Sequence, residues 1–187
     1  MPISKSLQNF LEKNKIRTCS ASPHRTLFRA SREIKCEVVE HKIVYTAHDK
    51  AATLHIKPEI VGKTMAIVFD GKNYALGLIP GNKNLDKKKV LVAFNNLQKK
   101  AGKKGYKKID FAKEIWMKKT FKGVDVGATP PFGLLYNLPF FIDNSLAKQT
   151  KIIINAGKYN LSLKISPTNL MKLNPKAIKG GFSMAKK

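Results

Sequence analysis

The sequence predicts an α/β fold in which a mixed, mainly antiparallel sheet is surrounded by helices. Hydrophobic residues make up 43% of the 187, enough to bury a core in one domain of ordinary size. Two apolar runs, Thr64 to Phe69 and Asn73 to Ile79, flank Asp70-Gly71, a dipeptide suited to a tight hairpin turn. Segments of helical spacing interleave with these strand-like runs, which favours a mixed class over all-α or all-β.

Taken in order, Leu7, Phe10 and Leu11 share a face at helical spacing, so residues 4–15 are expected as a short amphipathic helix. Cys36 to Glu40 alternates as a strand does. Asp49 to Leu54 is expected as a helix with Ala51, Ala52 and Leu54 on its apolar side. After the hairpin, Leu85 to Leu97 is expected as a helix behind Lys87-Lys88-Lys89, with Val90, Val92, Ala93, Phe94 and Leu97 forming a broad apolar stripe. Asp110 is placed to cap a further helix through Trp116. Phe121 to Gly133 is a Gly/Pro-rich loop. Phe140 to Ile142, Lys151 to Asn155 and Leu161 to Ile165 are expected as strands, and Pro167 to Leu173 as a closing helix with Pro167 near its first turn.

Charge limits the partners. Thirty-six basic residues face 12 acidic ones, a formal +24, and a surplus of that size suits a polyanion, because Lys and Arg displace counterions condensed on phosphates. A merely solvated lysine-rich surface is the plainer alternative. Arg17, Arg25, Arg29 and Arg32 are all the arginines, and no acidic residue lies between Arg17 and Arg32. That segment reads as a phosphate-gripping insertion, a solvated loop or an organelle transit peptide. A second basic cluster, Lys99, Lys100, Lys103, Lys104, Lys107 and Lys108, is broken by Gly102, Gly105 and Tyr106. It reads as a solvated connection or as a patch tracking an RNA backbone, with Tyr106 able to stack on an unpaired base.

Two cysteines, Cys19 and Cys36, make neither a disulfide framework nor a close metal-ligand pair, and His24, His41, His48 and His55 lack a matching cysteine cluster. No metal and no cofactor are expected. The apolar stretch Leu134 to Ile142 is too short to span a bilayer, and residues 1–10 lack the apolar run of a signal peptide. A reducing, cytoplasmic setting is the default expectation.

The sequence carries no phosphate-binding Gly-x-x-x-x-Gly-Lys loop, no dinucleotide fingerprint, no His-Glu-x-x-His and no Gly-x-Ser-x-Gly elbow. Three quieter features remain. Gly62-Lys63-Thr64 opens an apolar strand, where a lysine either reaches into a cleft or extends its ammonium to water. Gly127-Ala128-Thr129-Pro130-Pro131-Phe132-Gly133 is a loop stiffened by two prolines, either a ligand cradle or a rigid connection. Asn155-Ala156-Gly157 follows a strand, as a turn or as a small-residue floor under a substrate.

In this order the three features resemble the YbaK/prolyl-tRNA editing domain family, the stand-alone relatives of the prolyl-tRNA synthetase insertion domain. The resemblance begins with Val38-Val39-Glu40-His41, Tyr45-Thr46-Ala47, Val61-Gly62-Lys63-Thr64 and Leu78-Ile79-Pro80-Gly81. It continues through Gly127 to Gly133, Leu138-Pro139, Ile142-Asp143, Ser145-Leu146 and Asn155-Ala156-Gly157. It covers 36–178 and implies three parts: an N-terminal helix with a basic insertion (1–35), an editing domain (36–178) and a basic tail (179–187).

The resemblance further implies a hydrolase that removes an amino acid from a misacylated tRNA without a metal. Lys63 falls on the functional lysine, and Thr64, Gly127, Ala128, Thr129, Pro130, Pro131, Asn155, Ala156 and Gly157 fall on the substrate-binding segments. Arg25, Arg29, Arg32 and the Lys99–Lys108 cluster are the expected contacts to tRNA. Members specialised for alanine carry a histidine beyond the substrate loop. No histidine follows His55 here, so the amino acid stays open. An inactive RNA-binding protein and an accessory subunit of an aminoacyl-tRNA synthetase are the competing readings.

Overall fold

The computed structural model describes residues 4–14, 16–20 and 34–186. In chain order the elements are α1 (Lys5–Lys13), β1 (Ile16–Ser20), β2 (Ile34–Glu40), α2 (Ala47–Thr53), β3 (Gly62–Phe69), β4 (Asn73–Pro80), β5 (Lys83–Leu85), α3 (Lys87–Lys100) and β6 (Ile109–Phe111). There follow α4 (Glu114–Thr120), α5 (Gly133–Tyr136), β7 (Phe140–Asp143), α6 (Asn144–Ala147), β8 (Ile152–Asn155), β9 (Leu161–Ile165), α7 (Pro167–Lys172), β10 (Ile178–Gly180) and β11 (Ser183–Ala185).

The strands form a five-stranded sheet of order β10-β7-β4-β3-β6, a four-stranded sheet of order β1-β2-β9-β8 and the small pair β11-β5. The β3–β4 hairpin is antiparallel over its whole length. Its three-residue loop, Asp70 to Lys72, places Asp70 and Gly71 at φ 48° and 71°, left-handed backbone that Asp-Gly adopts readily. A bridge between Val61 and Ile153 joins the two larger sheets where β3 begins. That junction brings the Lys63 region beside Asn155.

The β3–β4 runs are continuously apolar because both faces of this sheet are covered. Leu76 and Leu78 point into one core, with Leu7, Phe10, Phe132 and the residues of β8 and β9. Ala75 and Ile79 point into another, with Ile67, Phe69, Val90, Phe94 and Phe182. Period-two alternation therefore sends Thr64 and Lys63 to opposite faces of β3.

Several expectations are corrected. Asp110 caps no helix. It lies within β6, opposite Val68, and its carboxylate meets Lys108 at 2.8 Å. The open edge of β3 recruits residues 109–111, and a three-residue strand leaves no period to read. The α3 stripe narrows to Val90 and Phe94, one helical turn apart, while Val92 is 59% exposed. A helix lying on a sheet buries one narrow face. Tyr106 offers no platform for a base, since it packs on Phe94 and Phe69 with its backbone held by Asn95. Residues 179–187, read as a basic tail, carry the end of β10, buried Phe182 and β11.

Candidate active site

A cavity of about 630 Å³ opens where the start of β3, the segment leading into α2, and the loops after α4 and β8 meet. Lys63, Thr64, Gly127, Ala128, Thr129 and Asn155, drawn from three distant stretches of sequence, all line it. Pro130, Pro131, Ala156 and Gly157 lie behind that wall and shape it from outside. Asn174, buried in the turn after α7, donates to the Pro131 carbonyl (3.2 Å) and accepts from the Gly133 N–H (2.7 Å). Gly157, at φ 93°, donates to the Ala128 carbonyl at 3.0 Å. A Cβ on Gly133 would stand 2.4 Å from the Leu138 carbonyl oxygen, so the loop's far end must be glycine. The loop is thus held by the backbone and by Asn174, and its lining groups are set before anything binds.

Lys63 is half-buried, and its Nζ donates to the Lys83 carbonyl at 2.8 Å. Burial, and then the neighbouring Lys186, hold its ammonium below the usual lysine range. It stands between this cavity and a second of about 700 Å³, which also takes in Asp86, Lys87, Phe111 and Met184. Thr64, on the opposite face of β3, is 7% exposed, and its buried Oγ1 has no hydrogen-bond partner among the described residues.

Sequence reasoning misses Lys50. Its position shares a face with Ala47, Ala51 and Leu54, and although a lysine is expected on the wet side it is 5% exposed, while Ala52, expected on the apolar side, faces solvent. Its Nζ donates to Asn155 Oδ1 at 2.6 Å, and Asn155 Nδ2 donates on to the Gly127 carbonyl at 3.2 Å. Thr46 caps α2 by accepting from the Asp49 N–H, which fixes the turn that carries Lys50 inward. Burial pushes the Lys50 ammonium down to about 8. His41, sharing a 2.9 Å hydrogen bond with Ser162, is lowered chiefly by burial and further by Lys50.

The basic cluster is elsewhere. Lys99 and Lys100 end α3, and Lys103, Lys104, Lys107 and Lys108 follow in an exposed loop. The 14-residue α3 runs from Lys87, at the second cavity, to Lys100, a span of about 20 Å, while Lys108 lies at the near end, sharing the Asp110 carboxylate with Lys87. Arg25, Arg29 and Arg32 lie outside the described residues. Among the described residues, no group of three or more His, Cys, Asp or Glu is placed to hold a metal ion. No helix among them is long and apolar enough to cross a membrane.

The model of the aminoacyl-tRNA editing domain matches residues 41–173. The candidate Cys-tRNA(Pro)/Cys-tRNA(Cys) deacylase EbsC of Enterococcus faecalis is 24% identical over 148 residues, covering 73% of this chain and 84% of that protein. Two crystal structures share the fold. Hypothetical protein APE2540 superposes with a TM-score of 0.69 at 18% identity, covering 96% of this chain and all of that one. A candidate trans-editing enzyme for prolyl tRNA synthetase superposes at 0.66 and 20% identity, covering 98% of this chain and all of that one.

Proposed function

The chain belongs to the aminoacyl-tRNA editing domain family, and from that membership we propose that it hydrolyses, in trans, the ester joining a wrongly attached small amino acid to tRNA. The observation that carries the proposal is the convergence of Lys63-Thr64, Gly127–Thr129 and Asn155 on one cavity. Residues so far apart in sequence have no packing reason to present polar groups to the same space.

In this reading the 3′-terminal adenosine and its amino acid enter the cavity. The Lys63 ammonium, with two N–H groups beyond the one held by Lys83, binds a terminal phosphate or ester oxygen. The backbone of Gly127 to Thr129 orients the aminoacyl group, so that attack starts from a fixed geometry. A water molecule adds to the ester carbonyl carbon, and the bond from that carbon to the ribose oxygen breaks. The free ribose hydroxyl beside the ester takes the proton from the water and passes it to the departing ribose oxygen. No protein group is required as general base.

Alanyl, cysteinyl, seryl and prolyl esters on several tRNAs form the first panel, the name of the EbsC relative pointing to cysteine on tRNA(Pro). Selective loss of the ester supports the deacylase. Tight binding without hydrolysis of any ester, aspartyl and asparaginyl included, replaces it with a tRNA-binding protein.

The exposed Lys99–Lys108 cluster is the proposed contact to the tRNA body, because a patch this basic outside the cavity lining suits phosphates beyond the acceptor end. Changing Lys103, Lys104 and Lys107 together to Gln should weaken tRNA binding. The dependence of log K on log salt should flatten by ~0.7–0.9 for each phosphate that the variant no longer neutralises. Filter binding across a salt series measures it. An unaltered slope returns the cluster to a solvated loop.

A further inference from the structure

We propose that Lys50 and Asn155 form a side-chain subsite that selects aminoacyl groups ending in an anion, an aspartyl carboxylate foremost. The inference rests on the deacylase reading and deepens it.

Three observations carry it. First, Lys50 is 5% exposed yet lines the cavity, and among the described residues its hydrogen-bond partner is the neutral Asn155 Oδ1 at 2.6 Å. An ammonium has three donors, so two remain for a ligand. A buried cation without a counter-ion is costly, and an arriving carboxylate supplies one together with charge-assisted hydrogen bonds. Second, Thr64 Oγ1, at the same cavity, is buried without a partner among the described residues. A second polar group there awaits a ligand atom, and a hydroxyl can donate to the same carboxylate.

Third, the charges lining the cavity are unbalanced. Lys50, Lys63, Lys158 and Lys186 line it against Asp49, with Lys158 already paired to Asp125 and Asp49 holding the Thr46 hydroxyl. Every aminoacyl ester brings its own α-ammonium into this positive field. An alanyl group adds that charge uncompensated, whereas an aspartyl group arrives with its own negative partner. The subsite thus discriminates by charge where a difference in size would give little.

The test uses the full chain with one tRNA charged in turn with Asp, Asn, Ala and Cys, and compares kcat/KM. Asp and Asn are matched in size and differ in charge. The expected result is a preference of about 10-fold or more for Asp over Asn, abolished by Lys50→Met. Because that variant alters a buried residue, the unmodified protein supplies a second readout. The Asp/Asn ratio should fall as pH rises past about 8, where Lys50 loses its proton in the free protein. The groups surrounding Lys50 are His41, from the end of β2, and His48, Asp49, Lys63, Lys158 and Lys186 at the cavity wall. Their effects on the common ester cancel in the ratio, and a fall in the ratio that persists in Lys50→Met would belong to another of these cations and overturn the assignment to Lys50.

A ratio near one, or one that neither the variant nor pH moves, overturns the subsite while leaving the deacylase intact. Equal loss on all four substrates in Lys50→Met also overturns it, because Lys50 would then serve the ester or the fold. No hydrolysis of any ester, in this set or the wider panel, overturns both readings.

Discussion

Lys63→Ala is expected to lower kcat/KM for ester hydrolysis by about 10- to 100-fold, the loss of one charge-assisted hydrogen bond made to the substrate. The fold should tolerate the change. Lys63 is the second residue of β3, half-buried, and gives up one hydrogen bond to the Lys83 carbonyl, which opens towards solvent when the side chain is shortened. Turnover and unfolding midpoint measured on the same preparation separate the two effects. Turnover equal to that of the unmodified protein would remove Lys63 from the mechanism. The environment adds a pH signature. Lys186 helps hold the Lys63 ammonium below the usual lysine range, so Lys186→Ala should carry the alkaline fall in activity to higher pH. An alkaline limb that stays in place would assign that fall to another group.

What is legible in the sequence follows from period and turn chemistry. The β3–β4 hairpin is readable because Asp70-Gly71 needs left-handed backbone that few other dipeptides take, and because its flanks are long enough to show their pattern. α1 is readable because Leu7, Phe10 and Leu11 are its buried residues and also its apolar ones. Short β5, β6, β10 and β11 carry no period and exist because neighbouring strands leave edges to pair. At the site, the resemblance marks Lys63, Gly127 and Asn155, whose motifs are local. It does not mark Asn174, whose side chain holds Pro131 and Gly133 from about 40 residues away in sequence. Nor does it mark Lys50. Its position falls on the Ala47-Ala51-Leu54 face, but a lysine by its type is expected on the wet side, and only the Asn155 amide facing it accounts for an ammonium there. Spacing marks the buried face, but the distant amide that receives the ammonium lies 105 residues away and leaves no local trace.

That inversion makes the stability of the protein depend on pH in a direction opposite to a salt-bridged lysine. Burial lowers Lys50 from the ordinary value of 10.5 to about 8. Between those values the unfolded chain holds a proton that the folded chain has released, so this group's contribution to stability rises with pH across that window. Below about 8 both states are protonated and the folded state bears the whole cost, about 3 kcal/mol at ~1.4 kcal/mol per pH unit. Lys50→Met keeps most of the length of the stem and removes the charge. It also leaves Asn155 Oδ1 without its donor, a loss of about 1 kcal/mol. The variant should therefore be more stable than the unmodified protein by about 2 kcal/mol at pH 7, with the advantage gone by about pH 9.5 and reversed to a deficit of about 1 kcal/mol by about pH 11. Urea unfolding at both ends of that range measures it. A variant less stable at pH 7, or a difference that pH does not change, would mean that Lys50 is satisfied in the folded chain and has no need of an anion. The expected gain has a functional corollary: a cation that costs stability in the empty cavity releases that cost when a carboxylate binds. Binding of an aspartyl ester should then raise the unfolding midpoint of the unmodified protein more than that of the variant.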